Sequence, residues 1–200
     1  REIPTPKLAL RGKIGLLIIL LWVVAAIFAP LLAPYEPNSS DLMAFLQEPS
    51  FNSGHWLGTD DLGRDILSRV FYGARPVLLV ATIATLLSAL IGSLLGIVAG
   101  LSNRLIDQII ARIAEIQLTI PGLVLALLAL ALFGSRLENL ILILALESWP
   151  LHFRVARSYT LNARNQGYME AAWLAGVPLW MSVLRHIVPG LLPLLIATSP

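Results

Sequence analysis

The chain has 200 residues, of which 57% are hydrophobic and only 13% are charged, and its mean hydropathy is +0.80. A water-soluble domain of this size covers its surface with polar groups, and 14 basic and 12 acidic residues are too few to do so. The surplus apolar surface predicts a protein that faces lipid. The sequence has no basic run with interleaved aromatic residues, so nucleic-acid binding is not indicated. Because the chain has no cysteine, disulfides, thiolate metal sites and a cysteine nucleophile are excluded.

Uncharged runs long enough to cross a bilayer mark the membrane segments, since a hydrocarbon core of roughly 30 Å needs about 20 helical residues. Three such runs are plain, at residues 14–32, 77–101 and 116–135. A shorter fourth run at 137–153 contains Glu138 and Glu147, and a fifth begins near Ile187 and reaches the end of the sequence. We therefore predict an all-helical, polytopic membrane protein. Because the sequence starts at Arg1 rather than Met and ends inside an apolar run, we expect it to be a fragment.

The charges between the spans orient them, because Lys and Arg stay preferentially on the cytoplasmic side. Residues 1–13 and the segments that follow the second and fourth spans are basic, whereas residues 33–75 are rich in acidic side chains. We expect residues 1–13 and 154–188 in the cytoplasm and residues 33–75 outside.

The second half of the outer segment predicts an amphipathic helix that lies at the outer membrane surface and leads into the second span. Thr59 or Asp60 is suited to cap its start, and Asp65 and Arg69 are spaced to pair on one face.

The same outer segment contains GTDDLGRD, residues 58–65, which superficially matches the nucleotide-binding pattern GxxxxGK[ST]. Arg64 replaces the lysine, Asp65 replaces the magnesium-binding hydroxyl, and the other aspartates would repel phosphate. A nucleotide site is therefore not predicted. The three histidines, His55, His152 and His186, are dispersed, and no catalytic or metal-ligating set emerges. We expect neither an enzyme nor a cofactor.

Small residues recur every fourth position in the second span. They are Ala84, Ser88, Gly92, Gly96 and Gly100. On a helix this spacing lays a stripe along one face, where two backbones can approach closely, so the stripe predicts a tight helix–helix contact. The alternative is that these residues face lipid.

The third and fourth predicted spans each carry one unusual residue. Pro121 removes a backbone donor and should kink the third span, after an amphipathic lead-in in which Arg112 and Glu115 are spaced to pair. The kink could be a hinge or simple packing geometry. Glu147 lies within the fourth span, and Arg154 is on the same helical face. A structural ion pair is the favoured interpretation, and a proton relay is the alternative.

The inner segment contains YMEAAWLA, residues 168–175, which predicts a two-turn helix. Gly176 is suited to a left-handed helix stop, and Pro178 prevents continuation. Alanines keep part of this helix flat while Tyr168, Met169 and Trp173 provide anchors, so it could insert into a groove on a soluble partner. A helix lying on lipid headgroups is the competing interpretation.

Two motifs make the chain similar to a known family. EAAWLAG and RHIVPG, residues 170–176 and 185–190, resemble the EAA loop of ABC importer permeases. His186 and Val188 stand where that pattern has isoleucine and leucine. The RHI-P variant and HWLGTDDLGRDILSRVFYGAR, residues 55–75, resemble the dipeptide, oligopeptide and nickel branch, in which the order of segments is similar to the C-type subunit.

The resemblance implies a type I ABC importer permease fold in a bacterial inner membrane, with about five of six spans covered and a transmembrane core at residues 76–200. It further implies a homologous second permease subunit, two cytoplasmic ATPase subunits that bind the EAA loops, and an external solute-binding protein. The ATPase-coupling residues would be Tyr168, Met169, Glu170, Ala171, Ala172, Trp173, Gly176 and Pro189. Peptide cargo is expected, with nickel or another small solute as the alternative. A proton-coupled secondary transporter and a non-transporting membrane scaffold are the rival classes.

Overall fold

The computed structural model describes residues 10–51 and 54–198, and helices dominate this part of the chain. The elements are α1 (Leu10–Ile27), α2 (Ala29–Leu32), a 3₁₀ turn (Leu42–Ala44), α3 (Ile66–Leu101), α4 (Arg104–Thr119), α5 (Gly122–Phe133), α6 (Leu137–Arg164), α7 (Gly167–Leu174), α8 (Leu179–Ser182), a π-helical turn (Val183–Ile187) and α9 (Val188–Thr198). The all-helical prediction is confirmed in these residues. The basic head at Arg1 and Lys7 lies outside them.

Two helices in the described ranges are long and apolar enough to cross a membrane, namely α3 and the run Leu179–Thr198. Helices α4 and α5 together satisfy the same criteria but are bent by 87° at the break between them. The apolar helix Gly12–Ile27 is shorter than a full span. Helix α6 is long enough, but it carries charged side chains and is less apolar than the other spans.

The second predicted span lies within α3, but this helix is longer than the sequence indicates. It starts at Ile66, continues through Pro76 and has 36 residues, a length of about 54 Å. The expected amphipathic surface helix is therefore not a separate element, because its apolar positions continue in helical phase into the span. The expected boundary between residues 75 and 76 falls inside one helix.

The predicted cap and ion pair at the start of α3 are wrong. Asp65 caps the helix, since its Oδ2 accepts a hydrogen bond of 2.8 Å from the Ser68 N–H, and its Oδ1 lies 3.0 Å from His55 Nδ1. Arg69 pairs with Asp60 at 2.6 Å instead of with Asp65. The reason is that the loop folds back on itself, so that Asp60 lies beside the first turn of α3.

Asp60 organises the outer loop before α3. Its carboxylate accepts hydrogen bonds from the backbone N–H groups of Leu62 and Arg64 and from the side chains of Arg64 and Arg69. Desolvation raises the pKa of Asp60, but the hydrogen bonds from Arg64 and Leu62 and the charge of Arg64 outweigh it and lower the pKa from 3.8 to about 2. Desolvation likewise opposes the hydrogen bonds from His55 and Ser68 that lower the pKa of Asp65.

The chain forms two compact units, the first ending at Leu79 and the second beginning at Val80. In the first unit, Arg75 on α3 caps the end of α1. Its Nε donates to the Ala26 carbonyl at 2.6 Å, and its Nη2 donates to the Ile27 carbonyl at 3.0 Å. A guanidinium on the last carbonyls of a helix satisfies acceptors that have no partner within the helix.

Helix α6 carries the buried core of the second unit. Its buried residues are Ile143, Ala145, Trp149, Pro150, His152, Phe153, Ala156, Thr160 and Ala163. Core clusters join α6 to residues of α3, α4 and α9. Helix α6 is therefore the element around which the helices of the second unit pack.

Candidate functional site

The two-turn helix predicted in the inner segment is present in the structure as α7. Helix α7 has eight residues, and Gly176 follows it with φ +74°. The Gly176 N–H bonds to the Trp173 carbonyl and the Val177 N–H to the Ala172 carbonyl, each at 3.0 Å. This pair of bonds is the Schellman arrangement, in which a left-handed residue closes the helix. Gly176 is therefore the stop that the sequence predicts.

Met169 is not an anchor for a partner, because its side chain is fully buried in the chain itself. It forms a core cluster with Ala163 at the end of α6 and Ile187 in the π-helical turn. The prediction that Met169 projects outward is wrong. Because the apolar residues of α7 are not confined to one face, the sequence does not distinguish which of them points inward.

The outward face of α7 carries a different set of side chains. Tyr168 and Trp173 are each 44% exposed, and Leu174 is 85% exposed. Glu170 and Ala171 are also exposed, while Ala172 is half-buried. The sequence analysis missed Leu174. No pattern in the sequence singles it out, because the apolar contact that accompanies a Schellman motif involves earlier residues of the helix.

Pro189 shapes the backbone of the helical turn that supports α7. Proline has no N–H and cannot donate a hydrogen bond to the carbonyl four residues earlier. The turn before it is a π-helix, in which the Val188 N–H bonds to the Val183 carbonyl. Gly190 then allows Tyr159 of α6 to approach, since a Cβ there would lie 2.7 Å from Tyr159 Cζ. The ring of Tyr168 in α7 lies against that of His186 in the π-helical turn, with ring centroids 5.5 Å apart and the rings tilted by 48°.

The small-residue stripe of α3 faces α6 in the second unit. A Cβ on Gly92 would lie 2.5 Å from the Trp149 carbonyl oxygen, and one on Gly96 would lie 2.6 Å from Ala156 Cβ. A Cβ on Gly100 would lie 2.8 Å from Thr160 Cβ. Ala84 and Ser88 are buried. Larger side chains would force the two backbones apart.

The chain breaks at Pro121 instead of bending gently. Ile120 is extended with ψ 123°, Pro121 is the N-cap of α5, and the two helix axes differ by 87°. The third predicted span is therefore two helices, of which α5, with 12 residues, is too short to cross the bilayer alone. The predicted ion pair of Arg112 and Glu115 in α4 is confirmed, with Arg112 Nη1 lying 2.9 Å from Glu115 Oε2.

Glu147 does not pair with Arg154 in the part of the chain that the structure describes, and the predicted ion pair is wrong. Arg154 is exposed, whereas Glu147 turns toward the start of α5, where its carboxylate lies against Gly122. Glu147 and Arg154 are seven residues apart, a rise of about 10 Å along the helix, and the Glu147 side chain turns across to α5 instead. Arg157, which the sequence analysis did not single out, pairs with Asp107 of α4.

The segment GTDDLGRD forms no phosphate-binding loop. Asp60 turns its own carboxylate onto the backbone N–H groups that such a loop would offer to phosphate. Within the described residues, no group of three or more His, Cys, Asp or Glu is placed to hold a metal ion.

Comparison with known proteins connects this geometry to a family. The family model described as "Binding-protein-dependent transport system inner membrane component" matches residues 92–200. A second model, "N-terminal TM domain of oligopeptide transport permease C", matches residues 11–49.

Curated relatives match nearly the whole chain. It is 39% identical over 182 residues to the probable D,D-dipeptide transport system permease protein DdpC of Escherichia coli, covering 91% of this chain and 60% of the relative. It is 36% identical over 200 residues to the dipeptide transport system permease protein DppC of Alkalihalophilus pseudofirmus, covering 100% and 64%. It is 33% identical over 187 residues to the oligopeptide transport system permease protein OppC of Bacillus subtilis, covering 94% and 61%.

The chain thus spans about three fifths of the length of these relatives. The first family model covers more than half of the chain, including α4 to α9 and most of the stripe of α3. The chain belongs to the family of binding-protein-dependent transport system inner membrane components and has the type I ABC importer permease fold.

Proposed function

We propose that this chain is a permease subunit of an ATP-driven ABC importer that carries peptides across the inner membrane by alternating access. The observation that carries the proposal is the arrangement of α7. Met169 packs this two-turn helix onto the core, Gly176 ends it, and Trp173 and Leu174 are exposed. The names of the relatives, which are dipeptide, D,D-dipeptide and oligopeptide permeases, favour peptide cargo over nickel or another small solute.

Helix α7 would dock into a groove on a separate ATPase subunit. Trp173 and Leu174 are the anchors, and the exposed Ala171 leaves room for the groove wall. Tyr168, Glu170 and Ala172 complete the contact. ATP hydrolysis then takes place on the partner, and this chain needs no cofactor of its own.

The burial of Met169 explains how movement of α7 would reach the membrane. Met169 contacts the end of α6 and the π-helical turn that precedes α9. Because protein interiors resist compression, displacement of α7 moves both elements together. Pro189 and Gly190 hold this turn in the shape that receives Met169 and Tyr159. Closure of two ATPase subunits would thereby change the access of the pathway between this chain and a second, homologous permease.

The orientation of the chain follows from the same proposal. Residues 154–188 lie on the cytoplasmic side with α7, residues 33–75 lie outside, and residues 14–32 and 76–200 contain the membrane-embedded part. An external solute-binding protein would deliver the peptide to the outer face. The exposed apolar side chains of α1 and α3 are then covered by lipid or by the second permease.

The decisive experiment replaces one exposed anchor and one matched residue outside the helix. Trp173→Ala removes an anchor of α7, and Trp180→Ala removes a still more exposed tryptophan beyond the Gly176 stop. The full-length permease is purified with its partner subunits, and peptide uptake and ATP hydrolysis are measured in proteoliposomes. We expect Trp173→Ala to release the ATPase or to reduce uptake per ATP, and Trp180→Ala to leave both unchanged.

Other outcomes would select the rival interpretations. Equal loss with both tryptophan variants would indicate that α7 and α8 lie on lipid headgroups. Uptake that follows a proton gradient and continues without ATP would indicate a secondary transporter. Lack of uptake in the complete wild-type assembly would favour a scaffold.

A further inference from the structure

Glu147 is an acidic residue in a membrane helix, and the described part of the chain places no basic side chain within ion-pair distance of it. Such residues are costly in a bilayer and ordinarily have a specific partner. Its carboxylate lies against the first residue of α5, because a Cβ built on Gly122 would overlap Oε1 and would lie 3.2 Å from Oε2 of Glu147. The glycine makes room for the carboxylate.

The start of α5 is a favourable place for a negative charge. The N–H groups of Val124 and Leu125 bond to the Pro121 carbonyl, whereas Pro121 offers no side-chain acceptor to the N–H groups of Gly122 and Leu123. A helix begins with the positive end of its dipole, and half-helices inside membranes attract anionic groups there. The carboxylate of Glu147 on α6 lies beside this helix start.

A second contact fixes the other side of the break. Gln117, in the last turn of α4, accepts a hydrogen bond of 2.8 Å from Trp149 Nε1, and its amide donates to the Leu146 carbonyl. Trp149 is buried in the core cluster that joins α6 to α3 and α4. Residues 146–149 of α6 therefore hold the end of α4 and the start of α5, on either side of Ile120 and Pro121.

We propose that Glu147 is the positioning residue of the α4–α5 elbow, defined as Ile120 and Pro121, and that it keeps the elbow at its sharp angle on α6 during one stage of the transport cycle. The inference rests on the proposed function, since the elbow then lies in the permease core. Glu147 acts through α5 and touches no cargo in this role.

The test separates the charge of Glu147 from its bulk. Glu147→Gln keeps the size and an acceptor oxygen but removes the charge. Gly122→Ala keeps the charge but places a Cβ where Oε1 lies, so it displaces the carboxylate from the other side. Glu138→Gln is the matched control, because Glu138 is an exposed glutamate in the first turn of the same helix.

The first measurement follows the elbow itself and needs no cargo. Spin labels can be attached at Ile109→Cys on α4 and Leu132→Cys on α5, which are both exposed, in a complex whose cysteines outside these 200 residues have been replaced by serine. Distances are measured by pulsed electron resonance in the assembled full-length complex without nucleotide. We expect Glu147→Gln and Gly122→Ala to broaden or shift the distance distribution, and Glu138→Gln to match the unsubstituted complex.

The second measurement is peptide uptake per ATP hydrolysed in proteoliposomes. We expect a decrease of about two- to fivefold for Glu147→Gln, the range that one carboxylate–helix-end interaction supports. A merely structural role would lower the yield of the complex but leave the ratio unchanged in the complexes that form. Glu147→Asp keeps the charge on a shorter stem and should restore part of the ratio.

An unchanged distance distribution in both Glu147→Gln and Gly122→Ala would overturn the proposal. If Glu147→Gln does not assemble, Gly122→Ala and Glu147→Asp decide the question, and failure of all three to assemble while Glu138→Gln assembles would overturn the positioning role in favour of a folding role. Lack of ATP-driven uptake in the unsubstituted complex would count against the proposed function, whereas the distance measurement would still test the elbow.

Discussion

Arg157 on α6 and Asp107 on α4 form a two-point ion pair, in which Arg157 Nη2 lies 2.7 Å from Asp107 Oδ2 and Nε contacts Oδ1. The parallel arrangement uses the planar guanidinium fully. Both side chains are partly shielded from solvent, unlike the exposed pair of Arg112 and Glu115 on α4. Together with the bond between Gln117 and Trp149, this pair attaches both ends of α4 to α6.

Asp107→Asn is expected to lower the stability of the permease by about 1 kcal/mol or more, because the guanidinium loses a charged partner in a shielded position. The measurement is the thermal unfolding midpoint of the detergent-solubilised, full-length permease. Glu115→Gln breaks the exposed pair and should leave the midpoint nearly unchanged. An equal decrease in both variants would show that Asp107 and Arg157 contribute no more than a surface pair.

Gly96→Leu is expected to separate α3 from α6. A Cβ at Gly96 already approaches Ala156 Cβ to 2.6 Å and the Phe153 carbonyl oxygen to 2.8 Å, so a larger side chain must displace the backbone. Overpacking of this kind costs about 1–3 kcal/mol. Yield and thermal stability of the purified permease report it, with Val98→Leu on the exposed face as the control. Normal yield and stability for Gly96→Leu would contradict the close contact.

The outer loop should lose order in acid because of Asp60. Its folded pKa of about 2 lies below the ordinary 3.8, so the unfolded loop binds the proton first. The carboxylate stabilises the loop fully above pH 3.8, and this contribution is lost as the pH falls toward 2. Hydrogen exchange of residues 54–66, corrected for the intrinsic pH dependence of amide exchange, should show a rise over that window.

At neutral pH, Asp60→Asn should produce a similar rise in hydrogen exchange. Asp61→Asn, at the exposed neighbouring position, should not. Equal protection of the loop in all three proteins at neutral pH would show that the hydrogen bonds of Asp60 are not what orders it.

Local patterns in the sequence were sufficient for the features that depend on neighbouring residues. Glycine is the usual residue where a helix ends in a left-handed conformation, as at Gly176, and helical spacing alone brings Arg112 and Glu115 together. The apolar runs likewise predict helices, because membrane length and hydropathy act on each run separately. These features need no knowledge of distant parts of the chain.

Features that depend on distant partners could not be read in this way. Asp65 caps α3 because the loop brings His55 beside it, and Met169 points inward because Ile187 is there to receive it. Glu147 has two candidate partners, Arg154 along its own helix and the start of α5 across the elbow. The sequence shows only the first, since the second depends on an 87° turn whose size a proline alone does not set.

Gly176 and Gly167 provide a matched pair for testing the role of α7. A Cβ at either position meets no atom within 4 Å, so an alanine has space at both. The difference is in the backbone, because Gly176 has φ +74° whereas Gly167 lies in the first turn of α7. Gly176→Ala should therefore cost about 1 kcal/mol and redirect the chain after the helix. Gly167→Ala should be neutral or slightly stabilising, since alanine favours helix more than glycine does.

The consequence for function follows from the exposed anchors next to Gly176. If the Schellman turn opens, Trp173 and Leu174 lose their fixed direction while Met169 stays in its cluster, so the membrane core should remain folded. We expect Gly176→Ala to reduce copurification of the ATPase and peptide uptake per ATP, with the yield of the permease maintained, and Gly167→Ala to match the unsubstituted protein in both measurements. Full coupling in Gly176→Ala would show that the turn after α7 does not direct its contact with the ATPase.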